Sequence, residues 1–102
     1  MITRSWQGTT RPNHETLYVE HLQQDVIPVL ERIPGFLGCT ILRRPQGESF
    51  QYRVETRWQS LETIRAFAGA DITRSVVPPE AQAHLSEFDT SAEHWEVEWQ
   101  RD

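Results

Sequence analysis

Hydrophobic and polar residues alternate along this chain with two periods, and the switches between them mark the elements. Residues 2–7 set Ile2, Arg4 and Trp6 against Thr3, Ser5 and Gln7, a short strand whose inward side is ambiguous because Arg4 stands between two apolar residues. Residues 8–12 read as a loop, after which Asn13 can cap a helix that carries Glu15 in its first turn, favourably placed against the helix dipole. At helical spacing Tyr18, Val19, Leu22, Val26, Leu30 and Ile33 form one broad apolar stripe. Pro28 removes a backbone donor inside that stripe, so the helix should kink or break near Ile27 and end before Pro34-Gly35.

Residues 36–44 form a second strand, with Leu37, Cys39 and Ile41 on one face and Gly38, Thr40 and Leu42 on the other. A turn over 45–48 leads into the clearest alternation of the chain, in which Phe50, Tyr52, Val54, Thr56 and Trp58 face one way and Gln51, Arg53, Glu55 and Arg57 the other. Ser60 can cap a second helix with a stripe of Leu61, Ile64, Phe67 and Ala68, ended by Gly69. Residues 71–77 follow neither period, Pro78-Pro79 breaks any helix, and residues 80–85 can form a short one. A closing strand sets Trp95, Val97 and Trp99 against His94, Glu96 and Glu98.

Strand, helix, two strands, helix, strand is the order of an α+β, ferredoxin-like βαββαβ fold with an antiparallel sheet, predicted here as one domain over residues 1–102. Two helices cover one face of such a sheet. The other must meet solvent or a second copy of itself, and Gly38, Thr40 and Leu42 argue for a homodimer. Arg53 and Arg57 with Glu55, joined by Glu96 and Glu98, suggest cross-strand ion pairs on that face.

Composition narrows the function classes. A chain of 102 residues buries only about 60–65% of its unfolded surface, so self-association would add useful burial. The net charge of −5 is spread along the chain and offers no basic footprint, so no nucleic-acid partner is expected. No window approaches the roughly 18 apolar residues of a membrane span. Cys39 is the one cysteine, shares its face with Leu37 and Ile41, and reads as a buried inert thiol. With no disulfide and no signal-peptide pattern, the expected location is cytoplasmic. All ten basic residues are arginine, which excludes Schiff-base lysine chemistry and the P-loop lysine. His14 and His21 lie two helical turns apart, about 10.5 Å of rise, too far to share a metal ion, and no metal site is predicted.

Several stretches carry a resemblance. Thr9-Thr10-Arg11-Pro12, Ile33-Pro34-Gly35-Phe36, the run from Trp58-Gln59-Ser60 to Phe67-Ala68-Gly69, Val76-Val77-Pro78-Pro79-Glu80 and His94-Trp95-Glu96-Val97 resemble the antibiotic-biosynthesis-monooxygenase family of dimeric αβ barrels. The likeness spans nearly the whole chain. It implies a homodimer whose sheets pack face to face, with a pocket between sheet and helices in each subunit. The family includes cofactor-independent oxygenases of polycyclic phenols and heme-degrading enzymes. The latter use a helical histidine as iron ligand, a tryptophan upstream of it and an asparagine on the first strand. Val77, Phe67 and the Ser5-Trp6-Gln7 stretch stand at those places, so neither heme nor any other cofactor is expected.

A cofactor-independent oxygenase needs a base, an oxyanion donor and a dry pocket, since the deprotonated substrate itself supplies electrons to oxygen. Near the start of the first helix, where unpaired amide donors and the positive dipole end favour a developing oxyanion, His14 is the candidate base, with Tyr18 and Trp6 to hold the anion. Glu15, Leu22, Trp58, Phe67, Val77 and His84 are the candidate substrate contacts, an electron-rich phenol or hydroquinone the candidate substrate. The commoner reading of His14 and His21 is a solvated helix flank, and of Tyr18, Trp58, Phe67 and Trp95 core packing. The alternative function is a non-catalytic ligand-binding or structural homodimer.

Overall fold

The computed structural model describes all residues, 1–102. The first strand, β1, runs Ile2–Thr10, three residues past its expected end at Gln7, and occupies the centre of the sheet. It pairs antiparallel with β3 (Ser49–Trp58) on one side, and β3 pairs in turn with β2 (Phe36–Gln46). On its other side β1 pairs with two short strands, β4 (Leu85–Phe88) near its C-terminal end and β5 (Glu93–Glu96) near its start. The order β2-β3-β1-β4/β5 is that of the ferredoxin-like α+β fold, with the closing strand broken in two.

The first helix comes in three pieces. Helix α1 spans Glu15–His21, a π-helical segment Leu22–Val26 follows, and α2 takes Ile27–Glu31. Pro28 has no N–H to continue the ladder, and the turn before it widens until the Ile27 N–H donates to the Leu22 carbonyl, placing the irregularity where the proline predicts it. The helix does not start as expected. Asn13 has φ 68 and follows Pro12 in a turn closed by the His14 N–H on the Arg11 carbonyl at 3.0 Å, so His14 takes the N-cap position without a side-chain bond. Asparagine tolerates the left-handed region better than other non-glycine residues, and a turn needing it there outcompetes the capping role.

Ser60 does precede the second helix, α3 (Leu61–Ala68), with the Thr63 hydroxyl donating to the Ser60 carbonyl at 2.7 Å. The short helix expected over 80–85 is α4, Pro79–Gln82, and it stops early because Leu85 has turned into β4. The closing strand ends at Glu96, leaving Val97, Trp99 and Glu98 outside it, with Trp99 77% exposed. No helix is long and apolar enough to cross a membrane.

Side chains on the helix side of the sheet form two apolar clusters. Tyr18, Leu22, Tyr52, Ala81 and Leu85 build one, and Ile2, Leu30, Trp58 and Ile64 the other. The expected cross-strand ion pairs on the opposite face do not form. Arg53 and Glu55 meet along one strand at 4.0 Å, and Arg57 instead donates to the Thr40 hydroxyl at 2.9 Å. Its guanidinium lies over Gly38, where a Cβ would come within 2.4 Å of it.

Candidate functional site

Between the sheet and the three-piece helix lies a cavity of about 70 Å³. The strand period supplies one wall, because Arg4 and Trp6 on β1 and Val54 and Thr56 on β3 all project to the helix side. The helical stripe supplies the opposite wall with Tyr18, His21, Leu22, Val26 and Leu30. Phe67 of α3 and the irregular stretch Val76-Val77-Pro78 close it.

Four polar side chains matter in this mostly apolar space. His21, 9% exposed, sends Nδ1 to the Asp25 carboxylate at 3.0 Å, one turn on along the helix, while its Nε2 is buried and has no partner. With Nδ1–H directed at the carboxylate, a neutral ring carries its lone pair at Nε2, the arrangement of a base with an orienting acid. Arg4, 5% exposed, binds the carbonyls of Ile72 and Arg74 and the Nε2 of His94. The Tyr18 phenol, edge-on to Tyr52 at 5.3 Å, is pushed above its ordinary pKa by burial, reinforced by Tyr52 and Cys39, and stays protonated as a donor. The Thr56 hydroxyl accepts from the Trp58 indole at 2.8 Å.

Of the residues singled out in the sequence, Trp6, Tyr18, Leu22, Phe67 and Val77 meet around this cavity. The Trp6 ring folds over Gly8, where a Cβ would come within 2.7 Å of it, and its N–H is engaged by the Asp89 carbonyl at 2.8 Å. His14, Glu15, His84 and Trp58 are not part of the cavity wall. His14 and His84 pair with each other, Nδ1 to Nδ1 at 3.1 Å, and Glu15 borders a surface groove with Val19 and Arg43. Trp58 is fully buried between Phe36 and Phe67. Cys39 is half-buried and free, with its thiol pushed up by burial against the opposing pull of Arg57, as an inert thiol requires.

Two functional candidates escaped the sequence reading. The His21–Asp25 pair was visible as an i,i+4 spacing on one helix, yet nothing local distinguishes it from a solvated flank. Arg4 announced itself only as the polar interruption between Ile2 and Trp6.

The sequence profile of the antibiotic biosynthesis monooxygenase family matches residues 1–79. No curated protein matches the chain. Among solved structures, a Bacillus cereus protein described as an antibiotic biosynthesis monooxygenase superposes with a TM-score of 0.67 at 17% identity, over 99% of this chain and 96% of that one. The heme-degrader MhuD from Mycobacterium tuberculosis, with two hemes bound in its active site, gives 0.66 at 21% identity over the full length of both chains, 100% each. A Streptomyces coelicolor monooxygenase from the gene ActVA-Orf6, in complex with nanaomycin D, gives 0.63 at 16%, over 98% of this chain and 89% of that one. Likeness at these identities establishes the shared fold, and one fold hosts many chemistries.

Proposed function

The chain belongs to the antibiotic biosynthesis monooxygenase family, and from that membership we propose that its inner cavity binds a small electron-rich phenol or hydroquinone and oxygenates it without a cofactor. The observation that carries this reading is His21, which lines an apolar cavity, is held by Asp25 through Nδ1 and keeps a buried Nε2 without a partner. His21 takes the role first given to His14, which is turned to His84 instead. Nε2 accepts the phenolic proton, and the Tyr18 hydroxyl donates to the resulting phenolate. Leu22, Val54 and Phe67 exclude water. One atom of dioxygen then enters the ring at an unsubstituted carbon ortho or para to the phenolate, and the other leaves as water with the hydrogen of that carbon and the phenolic proton. The substrate supplies all four electrons and becomes a quinone.

The cavity must widen to admit a ring, since an apolar cavity known to take benzene measures about 150 Å³ against about 70 Å³ here. The wall at 76–78, outside any helix or strand, yields most cheaply. Heme is not expected here: ligand pockets for such groups run to several hundred Å³, and the cavity positions that the resemblance assigns to the iron ligand and the tryptophan upstream of it are Val77 and Phe67. Hemin titration should give no saturable Soret shift at one equivalent. A stoichiometric complex would make His21 an iron ligand and replace this reading.

The second copy of a homodimer belongs on the sheet face that carries Gln7, Arg53, Glu55 and Arg57, which no helix covers. The narrowness of the cavity favours one competing reading, a non-catalytic binding or structural dimer. Oxygen uptake across a panel of phenols and hydroquinones, with no added cofactor, separates the two. Uptake with quinone formation is expected, and its absence across the panel would leave the binding reading.

A further inference from the structure

Arg4 is a buried cation with no anion. Its Nη1 donates to the Ile72 carbonyl and to His94 Nε2 at 2.9 Å, its Nη2 to the Arg74 carbonyl at 2.9 Å, and its guanidinium carbon stands 5.9 Å from the centre of the Phe67 ring. Every one of these partners is neutral. The ion pairs of the chain are His21–Asp25, Arg53–Glu55 and Arg65–Glu62, so no carboxylate balances Arg4. Burial lowers its pKa from 12.5, but a guanidinium stays charged in proteins. Buried charges are ordinarily paired, because an isolated one forfeits its hydration without return. These bonds occupy both Nη1–H groups and one Nη2–H, which leaves Nε–H and the second Nη2–H as donors for a carboxylate.

Arg4 borders the same cavity as His21, on the sheet wall opposite the helix. We propose that the ligand of this cavity is an aromatic acid, whose carboxylate pairs with Arg4 while its phenolic hydroxyl meets His21 on the other wall. The proposal rests on the reading of the cavity as a phenol site and names the charge of the molecule that enters it. The net charge of −5 repels anions at long range, so the preference has to arise locally at Arg4 and should survive added salt.

The test compares para-hydroxybenzoate with para-hydroxybenzamide, nearly equal in shape and different in charge, by calorimetric titration of the full chain. The parent should bind the acid at least about tenfold more tightly than the amide. Arg4→Met should erase that preference, and Arg4→Lys, which keeps the charge but not the fork, should retain part of it. Should Arg4→Met fail to fold, the comparison in the parent still decides. Equal affinity for acid and amide would overturn the anionic ligand while leaving the phenol site standing, as would a preference that persists in folded Arg4→Met. Binding of neither compound would remove the cavity as a phenol site and the proposal with it.

Discussion

His94 shows how one buried cation reaches beyond the cavity. Burial, and then the charge of Arg4, hold its imidazole below the ordinary 6.5. A histidine depressed in the folded state contributes stability that is present above its unfolded pKa and lost as pH falls below it. The melting temperature should therefore drop on acidification from about pH 7 to about pH 5, and less steeply in His94→Gln than in the parent. Tyr18 works at the other end. Its raised phenol contributes stability that is complete below the ordinary 10.0 and is lost as pH rises past it, so Tyr18→Phe should remove part of an alkaline unfolding limb followed by circular dichroism. Such residues are hard to read from sequence because their chemistry depends on neighbours far along the chain. Tyr18 could be placed in the core from helical spacing alone, whereas Arg4 is made unusual by carbonyls and an imidazole more than sixty positions away.

Elements were legible where a period or a turn residue was strong. The β2–β3 hairpin, the Ser60 start of α3 and the irregularity before Pro28 all follow from local rules. The strand β4 did not announce itself, because Leu85–Phe88 is a four-residue edge strand with Ser86 and Glu87 at its middle, and a polar edge strand has no alternation to detect. Gly35 ties two elements together. It has φ 94 in the turn after α2, and a Cβ there would come within 2.4 Å of the Thr63 methyl on α3. Gly35→Ala should thus cost more than about 1 kcal/mol, read as a lower urea midpoint, from backbone strain and collision together. Residues 71–78 are held to the sheet mainly through Arg4 and the Arg74–Ser91 bridge. If they are the wall that yields, amide exchange there should change on addition of para-hydroxybenzoate more than in β1 or β3, and an unchanged pattern would place the entrance elsewhere.

The whole molecule divides its sheet between two tasks. One face and its helices enclose the cavity, and the other carries Gln7, Arg53, Glu55 and Arg57 with Leu42 and Trp95 exposed on it. That second face is why a dimer is expected: light scattering at micromolar concentration should report twice the 11.9 kDa chain mass, and a monomer would contradict the face-to-face arrangement. The architecture could be inferred from the order of periods, but the site could not be completed, since the proposed base His21 and its partner Asp25 lie on a helix face whose burial only the folded chain decides. The most direct measurement is therefore the rate of oxygen uptake on the best phenol of the panel by the parent, His21→Ala and Asp25→Asn, each checked for native circular dichroism. A fall of about 10²–10⁴-fold in kcat is expected for His21→Ala and a smaller one for Asp25→Asn; a His21→Ala protein that oxygenates the phenol as fast as the parent would contradict His21 as the base.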